Sequence, residues 1–253
     1  MARNPVQHVP SRQNLRNTLG LSREFGFLEF NTIDQVEWWD DFIGDTIHGG
    51  YVTATNGTGA DALAISATGI SGEATIKNGT ADDAYSGFGT GLEWYGQLNC
   101  AMAVRIKTDD IAATKIEVEF TDATDDGGAV NDLDGATFTA TDCAVWAFDT
   151  DDSTDNWKLA STPDGGTNDT VTDTGFAPAA DTYETLIIAL EDTAAHFYRL
   201  DSNGYQTYKA SHTTGPSKDV ALTPWVFTQT REGSDEKTVT VDFIRVWQRR
   251  TVS

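Results

Sequence analysis

The segment Glu117-Val118-Glu119-Phe120-Thr121-Asp122 holds the residue types with the clearest chemical potential in the chain. On a strand, side chains two apart share a face, and the Cα atoms of Glu117 and Glu119 would stand about 6.8 Å apart. Rotamers could bring their carboxyls near the ~5–5.5 Å separation of a retaining glycoside hydrolysis, one acting as nucleophile and one as acid/base. The competing reading is a solvated outer strand face in a protein with 39 acids.

Two further clusters invite oxygen-ligand chemistry. Asp149, Asp151, Ser153 and Asp155 alternate like the start of a calcium-binding EF-hand loop. Thr154 stands where that loop needs glycine, and Ala160 where it needs a bidentate glutamate, so an EF-hand is excluded. Asp125, Asp126, Asn131, Asp132 and Asp134 form a second group of the same kind. No cofactor is implied beyond structural calcium at such irregular loops. His8, His48, His196 and His212 are dispersed without metal-ligand spacing, and no Ser/His/Asp set can be read. Cys100 shares a strand face with Met102 and Val104 and reads as a buried, inert thiol; adjacent strands could still bring it to Cys143. Trp94, Tyr95, Trp157 and Tyr205 are flanked by polar or turn residues and are the aromatics that could line a glycan site.

These residues need strands to hold them. Leu98 to Lys107 alternates apolar and polar residues, as does Lys115 to Thr121, which is the period of a half-buried strand. Tyr183 to Leu190 and Val239 to Trp247 are rich in β-branched and aromatic residues, as strands buried on both faces are. Asp201-Ser202-Asn203-Gly204 supplies residues that tolerate positive φ, so a hairpin is expected between Phe197 and Tyr208. Asp122 to Gly135 and Asp149 to Asn156 read as loops. The expected architecture is all-β: an antiparallel sandwich over residues 31–253, preceded by a basic arm over residues 1–30 with a short helix capped by Ser11.

The 253 residues have a formal net charge of -22 and 39% hydrophobic residues. That balance excludes a nucleic-acid footprint, and no apolar run is long enough for a membrane helix. Met1-Ala2-Arg3-Asn4-Pro5 is followed by no apolar stretch that would serve as a signal peptide. The arm inverts the charge, with Arg3, Arg12, Arg16 and Arg23 and no acid through residue 23. With Leu15 and Leu19 as apolar anchors, it reads as an attachment segment for an acidic partner, because arginine can hold carboxylates bidentately.

Trp39-Asp40-Asp41-Phe42-Ile43-Gly44-Asp45, His196 to Gly204, and Thr240-Val241-Asp242-Phe243-Ile244-Arg245-Val246-Trp247 occur in this order. Together they resemble the concanavalin A-like, laminin-G-like jelly rolls, particularly modules of phage structural proteins. The resemblance covers roughly residues 36 to 250 and implies a jelly-roll sandwich. Its glucanase members carry Glu, any residue, Asp, two residues and Glu on a cleft strand. Here Glu119 replaces the middle Asp and Asp122 the final Glu, which leaves the acid/base one methylene short.

The expectation is therefore a non-enzymatic virion protein, a capsid decoration or cement subunit assembled in the host cytoplasm. Its expected partner is the major capsid protein or another virion protein. Self-association as a trimer or dimer is expected, and no nucleic acid or membrane contact. The alternatives are a carbohydrate-binding module of a tail fibre or secreted lectin, and a glycoside hydrolase using Glu117 and Asp122.

Overall fold

A computed structural model describes residues 35–67, 72–91, 93–124, 128–166, 168–233 and 235–250. The basic arm, with Arg3, Arg12, Leu15, Arg16, Leu19, Arg23 and the expected short helix, lies outside the described residues, as do Asp125 and Asp126.

In chain order the strands are β1 (Gln35–Asp40), β2 (Val52–Asn56), β3 (Ala60–Ile65), β4 (Ala74–Asn78), β5 (Tyr85–Gly89) and β6 (Ala101–Thr108). There follow β7 (Thr114–Thr121), β8 (Val130–Asp132), β9 (Thr137–Phe138), β10 (Cys143–Asp149), β11 (Lys158–Thr162) and β12 (Thr170–Asp173). The last are β13 (Glu184–Glu191), β14 (Ala194–Leu200), β15 (Gln206–His212), β16 (Thr223–Thr230) and β17 (Thr238–Arg249). A single 3-10 turn at Gly96–Leu98 is the only helical element among the described residues.

One sheet runs β15-β14-β13-β6-β17-β4-β3, with β1 also on β17, and the other runs β12-β11-β10-β7-β16-β5-β2. Every pairing within them is antiparallel, as expected. The chain passes back and forth between the sheets, so sequence neighbours such as β6 and β7 lie on opposite sides of one core. That core is built by alternation: Met102, Val104 and Ile106 from β6 face inward, as do Ile116, Val118 and Phe120 from β7. Trp146 anchors it, with edge-to-face contacts to Trp157 and Phe197 and an indole N–H donated to the Ile187 carbonyl at 3.1 Å.

The expected hairpin forms between β14 and β15, with Asp201 Oδ1 accepting from the amides of Asn203 and Tyr205. Within the closing motif, the register of β17 on β6 shifts between Val241 and Phe243, leaving Asp242 as the extra residue. Arg105 holds that residue through a 2.6 Å contact to its carboxylate.

Cys100 is a buried free thiol, as expected; it lies in the inner core just before β6, while Cys143 is free on the outward side of β10, so the alternative of a bridge is not realised. One expectation needs correction: the stretch Asp122 to Gly135, read as a loop, contains β8, which pairs with β9 just beyond it, and Ala129, Val130 and Leu133 join an apolar cluster.

At one end, His212 of β15 ties the two sheets together. Its Nδ1 lies 2.8 Å from Ser161 Oγ on β11, and its Nε2 lies 3.1 Å from Thr172 Oγ1 on β12. Burial pushes the imidazole pKa down to about 4. The unfolded chain therefore takes up a proton that the folded chain refuses, and stability falls as pH drops from about 6.5 through the folded value. Comparing acid-unfolding series of the wild-type chain and His212→Gln should isolate this loss: the difference in stability between them should change by on the order of 2–3 kcal/mol between about pH 6.5 and pH 4.

Candidate functional site on the central strand of the seven-stranded sheet

The acidic motif lies on β7, the middle strand of its sheet, between β10 and β16. Alternation sends Lys115, Glu117, Glu119 and Thr121 to the outer face, as the sequence implies. That face is not solvated: all four residues are fully buried. The cover is the segment from Gly128 to Ala140, whose Ala129, Val130, Leu133 and Ala140 pack on Cys143, Val145, Ala147 and Ala160 of the sheet.

Charge fixes the cover in place. Lys115 Nζ sits 3.0 Å from Glu117 Oε1 and also donates to the carbonyl of Val130. Glu117 in turn accepts the amides of Ala129 at 2.8 Å and Val130 at 3.3 Å. Gly128 has φ +74°, and a Cβ there would stand 2.0 Å from Glu117 Oε2, so only glycine lets the backbone come this close. Asp122 secures the base of the segment, its Oδ1 accepting the amides of Thr141 and Asp142.

Glu119 is treated differently. Neither carboxyl oxygen has a hydrogen-bond partner among the described residues. Its register neighbours are Val145 and Trp225, and the indole N–H of Trp225 is likewise buried and unpartnered. Burial first, and the charge of Glu117 second, push its pKa well above the ordinary carboxylate range. The strand thus holds an ion pair, Lys115–Glu117, beside a carboxyl that favours its neutral form. Gly87 and Gly89 of β5 make room for the Trp225 ring; a Cβ on Gly87 would lie 2.6 Å from its Nε1.

This arrangement differs from the one that retaining hydrolysis, the alternative weighed for these residues, would need. A nucleophile and an acid/base must both reach a substrate. Glu117 is spent on Lys115 and two amides, Asp122 on two amides, and no solvent reaches Glu117 or Glu119.

The remaining site expectations divide. Trp94 and Trp157 are buried core residues, not exposed platforms: Trp94 donates to Thr90 Oγ1 at 3.0 Å, and Trp157 to Glu184 Oε1 at 2.9 Å. Tyr95 is half-buried before the 3-10 turn, and Tyr205 is 69% exposed at the β14–β15 hairpin. The four do not assemble into one surface. Among the described residues Trp39 (60% exposed) and Ile43 (77%) are, with Tyr205, the most exposed large apolar side chains, and neither was among the candidate site residues.

Of the acids offered as calcium ligands, Asp149, Asp151 and Asp134 meet the protein's own cations, and Asp132 accepts the amide of Gly135. Asp149 takes Arg231 bidentately, at 3.0 and 2.6 Å, and Asp151 lies 3.5 Å from the same guanidinium. Asp134 and Asp152 converge on Lys158 at 2.5 and 3.3 Å. Among the described residues no three acidic, histidine or cysteine groups converge on a point that would hold a metal ion.

No protein-family model matches the chain, and no curated protein matches its sequence. Solved structures do share its architecture. A protein of unknown function from Shewanella oneidensis MR-1 is 14% identical, with 99% of this chain and 98% of that one covered at a TM-score of 0.61. Peanut lectin is 9% identical over 86% of this chain and 99% of its own, with a TM-score of 0.58. The CBM2 module of the evolved Dit of Lactobacillus casei BL23 phage J-1 is 11% identical, covering 86% and 97%, at 0.55. β-Glucanases share the sandwich as well. The fold is that of the lectin and glucanase jelly rolls.

The two glutamates should respond oppositely to neutralisation. Glu117→Ala leaves Lys115 buried without its carboxylate and should cost about 3–5 kcal/mol in denaturant melts. A raised folded pKa means that Glu119 contributes its stability below its unfolded value, near about 4.3, and loses it as pH rises through the folded value. Glu119→Gln should therefore raise the melting temperature at pH 8 and leave it unchanged at pH 4. A lower melting temperature at pH 8 would contradict this account of the site.

Proposed function

We propose that this chain is a non-enzymatic jelly-roll module whose work is attachment, as a structural component of a phage particle that decorates the capsid surface. The observation that carries the non-enzymatic reading is the closure of the β7 carboxylates beneath residues 128–140. Attachment is supported by the four arginines of the first 23 residues, and by Trp39 and Ile43, which expose apolar surface in and just after β1. Arginine supplies orientation-specific charge contacts, while a large exposed aromatic supplies buried area on binding.

A second reading is carbohydrate binding. It is supported by the likeness of fold to peanut lectin and to a phage module titled CBM2. Of the aromatics first considered for it, Tyr205 keeps the necessary exposure.

Assays on β-glucans, carrageenan and agar should release no reducing sugar; release that co-purifies with the folded chain would overturn the non-enzymatic reading. The full chain should sediment with purified capsids. A chain lacking residues 1–23 should keep its β-type circular dichroism and lose that binding. Reversing Arg12 and Arg16 to glutamate should weaken binding more at low than at high salt, because exposed charges are screened. Undiminished capsid binding by the truncated chain would remove the arm from this role.

A further inference from the structure

A pocket opens on the outer face of the seven-stranded sheet, at the end away from Asp122. It encloses about 400 Å³ and is lined by Asn56, Gly57, Asp82, Asp83, Ala84, Asn131, Gln229 and Arg231. That volume lies within the range of small-ligand sites. The β2 end, the turn into β5, the β8 hairpin and the end of β16 all contribute, so the cover that closes the middle of the face also builds a wall of the pocket.

Gln229 is 2% exposed, and its Oε1 is buried with no hydrogen-bond partner. Its amide nitrogen faces the carbonyl and the Oδ1 of Asp83 at 3.4 and 3.3 Å. Rotating the amide by half a turn would set oxygen against oxygen, so the unsatisfied acceptor is a fixed feature. A buried acceptor without a donor costs about 1–3 kcal/mol, and the residue that carries it lines this pocket.

The charges around it select the ligand class. Asp82 and Asp83 repel anions. Arg231, held by Asp149 and 3.4 Å from Asp83 Oδ1, repels metal cations and fills part of the space that their oxygen shell would need. Asn56 and Asn131 offer both donors and acceptors from exposed positions. Carboxylates beside neutral amides suit hydroxyl groups, each of which donates and accepts at once. No aromatic ring lines the pocket, so hydrogen bonding rather than stacking must carry affinity.

We propose that this pocket binds a neutral sugar, the terminal residue of a glycan, with Asn56, Asp82, Asp83, Asn131 and Gln229 as its polar contacts. The proposal deepens the carbohydrate-binding reading above and is independent of capsid attachment. It predicts weak binding of a single sugar, with Kd on the order of 1 mM, because a few hydrogen bonds must offset the loss of ligand freedom.

The test is a titration of the isotope-labelled full chain, followed by NMR at the side-chain amides of Gln229, Asn56 and Asn131. The probes are the methyl glycosides of glucose, galactose, mannose and N-acetylglucosamine, with calcium chloride and sodium phosphate as comparisons. At least one glycoside should shift all three amides saturably. Asn56→Ala combined with Asn131→Ala, both at exposed positions, should weaken that binding about tenfold and leave the fold intact. Saturable shifts from calcium or phosphate with none from the glycosides would overturn the sugar assignment. Glycan-array binding that survives the double substitution would overturn the pocket while leaving the carbohydrate-binding reading in place. A silent array with silent amides would remove both.

Discussion

A lysine and a glutamate sit fully buried on the central strand of one sheet, 3.0 Å apart, and much of the molecule's outer architecture follows from keeping them satisfied. Burying such charges is tolerable only when each is paired and its remaining hydrogen-bonding capacity is used. Lys115 and Glu117 have each other, but the rest of their demand is met by backbone groups of Ala129 and Val130. The segment after β7 is thereby committed to lying on the sheet. Its apolar residues then pack on small side chains of β10 and β11, and Asp122 ties its base to Thr141 and Asp142. Electrostatic demand and apolar packing act in the same direction here, and together they convert an open sheet face into an interior.

The same contact decides what the face can do. A jelly roll presents one broad sheet surface on which unrelated activities have been built, so the fold does not specify function. In this chain the middle of that surface is filled by the protein itself. On this face the polar pocket beside Gln229 and Arg231 lies at the margin, while the exposed aromatics Tyr205 and Trp39 belong to the other sheet, at the β14–β15 hairpin and on β1.

The elements were largely legible in the sequence, and the burial of their faces was not. Strands form around Ile116 to Phe120, Tyr183 to Leu190 and Val239 to Trp247, and the one expected from Leu98 begins at Ala101 after the 3-10 turn, because period-two alternation and β-branched runs are local signals. Lys115, Glu117 and Glu119 read as an exposed face because polar residues alternating with apolar ones usually are. Their cover comes from a segment rich in Asp and Gly, whose Ala129, Val130 and Leu133 were too sparse to stand out among turn residues. Trp94 and Trp157 misled in the opposite way, since their polar sequence neighbours say nothing of the strands that cover them. The meeting of Ser161, Thr172 and His212 joins three strands across two sheets, and no local pattern announces such a contact.

The ion pairs have a further consequence at the scale of a crowded surface. Lys77, Arg105, Lys107, Lys115, Lys158, Arg199, Arg231, Lys237 and Arg245 are all engaged with carboxylates of the same chain. Most of the sandwich's positive charge is thus consumed at home, and the surplus acids dominate what a neighbour meets. Copies of such a body brought side by side repel laterally, and that repulsion fades only beyond a Debye length of about 8 Å at physiological salt. A dense layer of these molecules is self-spacing. Its closest lateral approach is set by the ionic strength of the medium as much as by the shape of the sandwich.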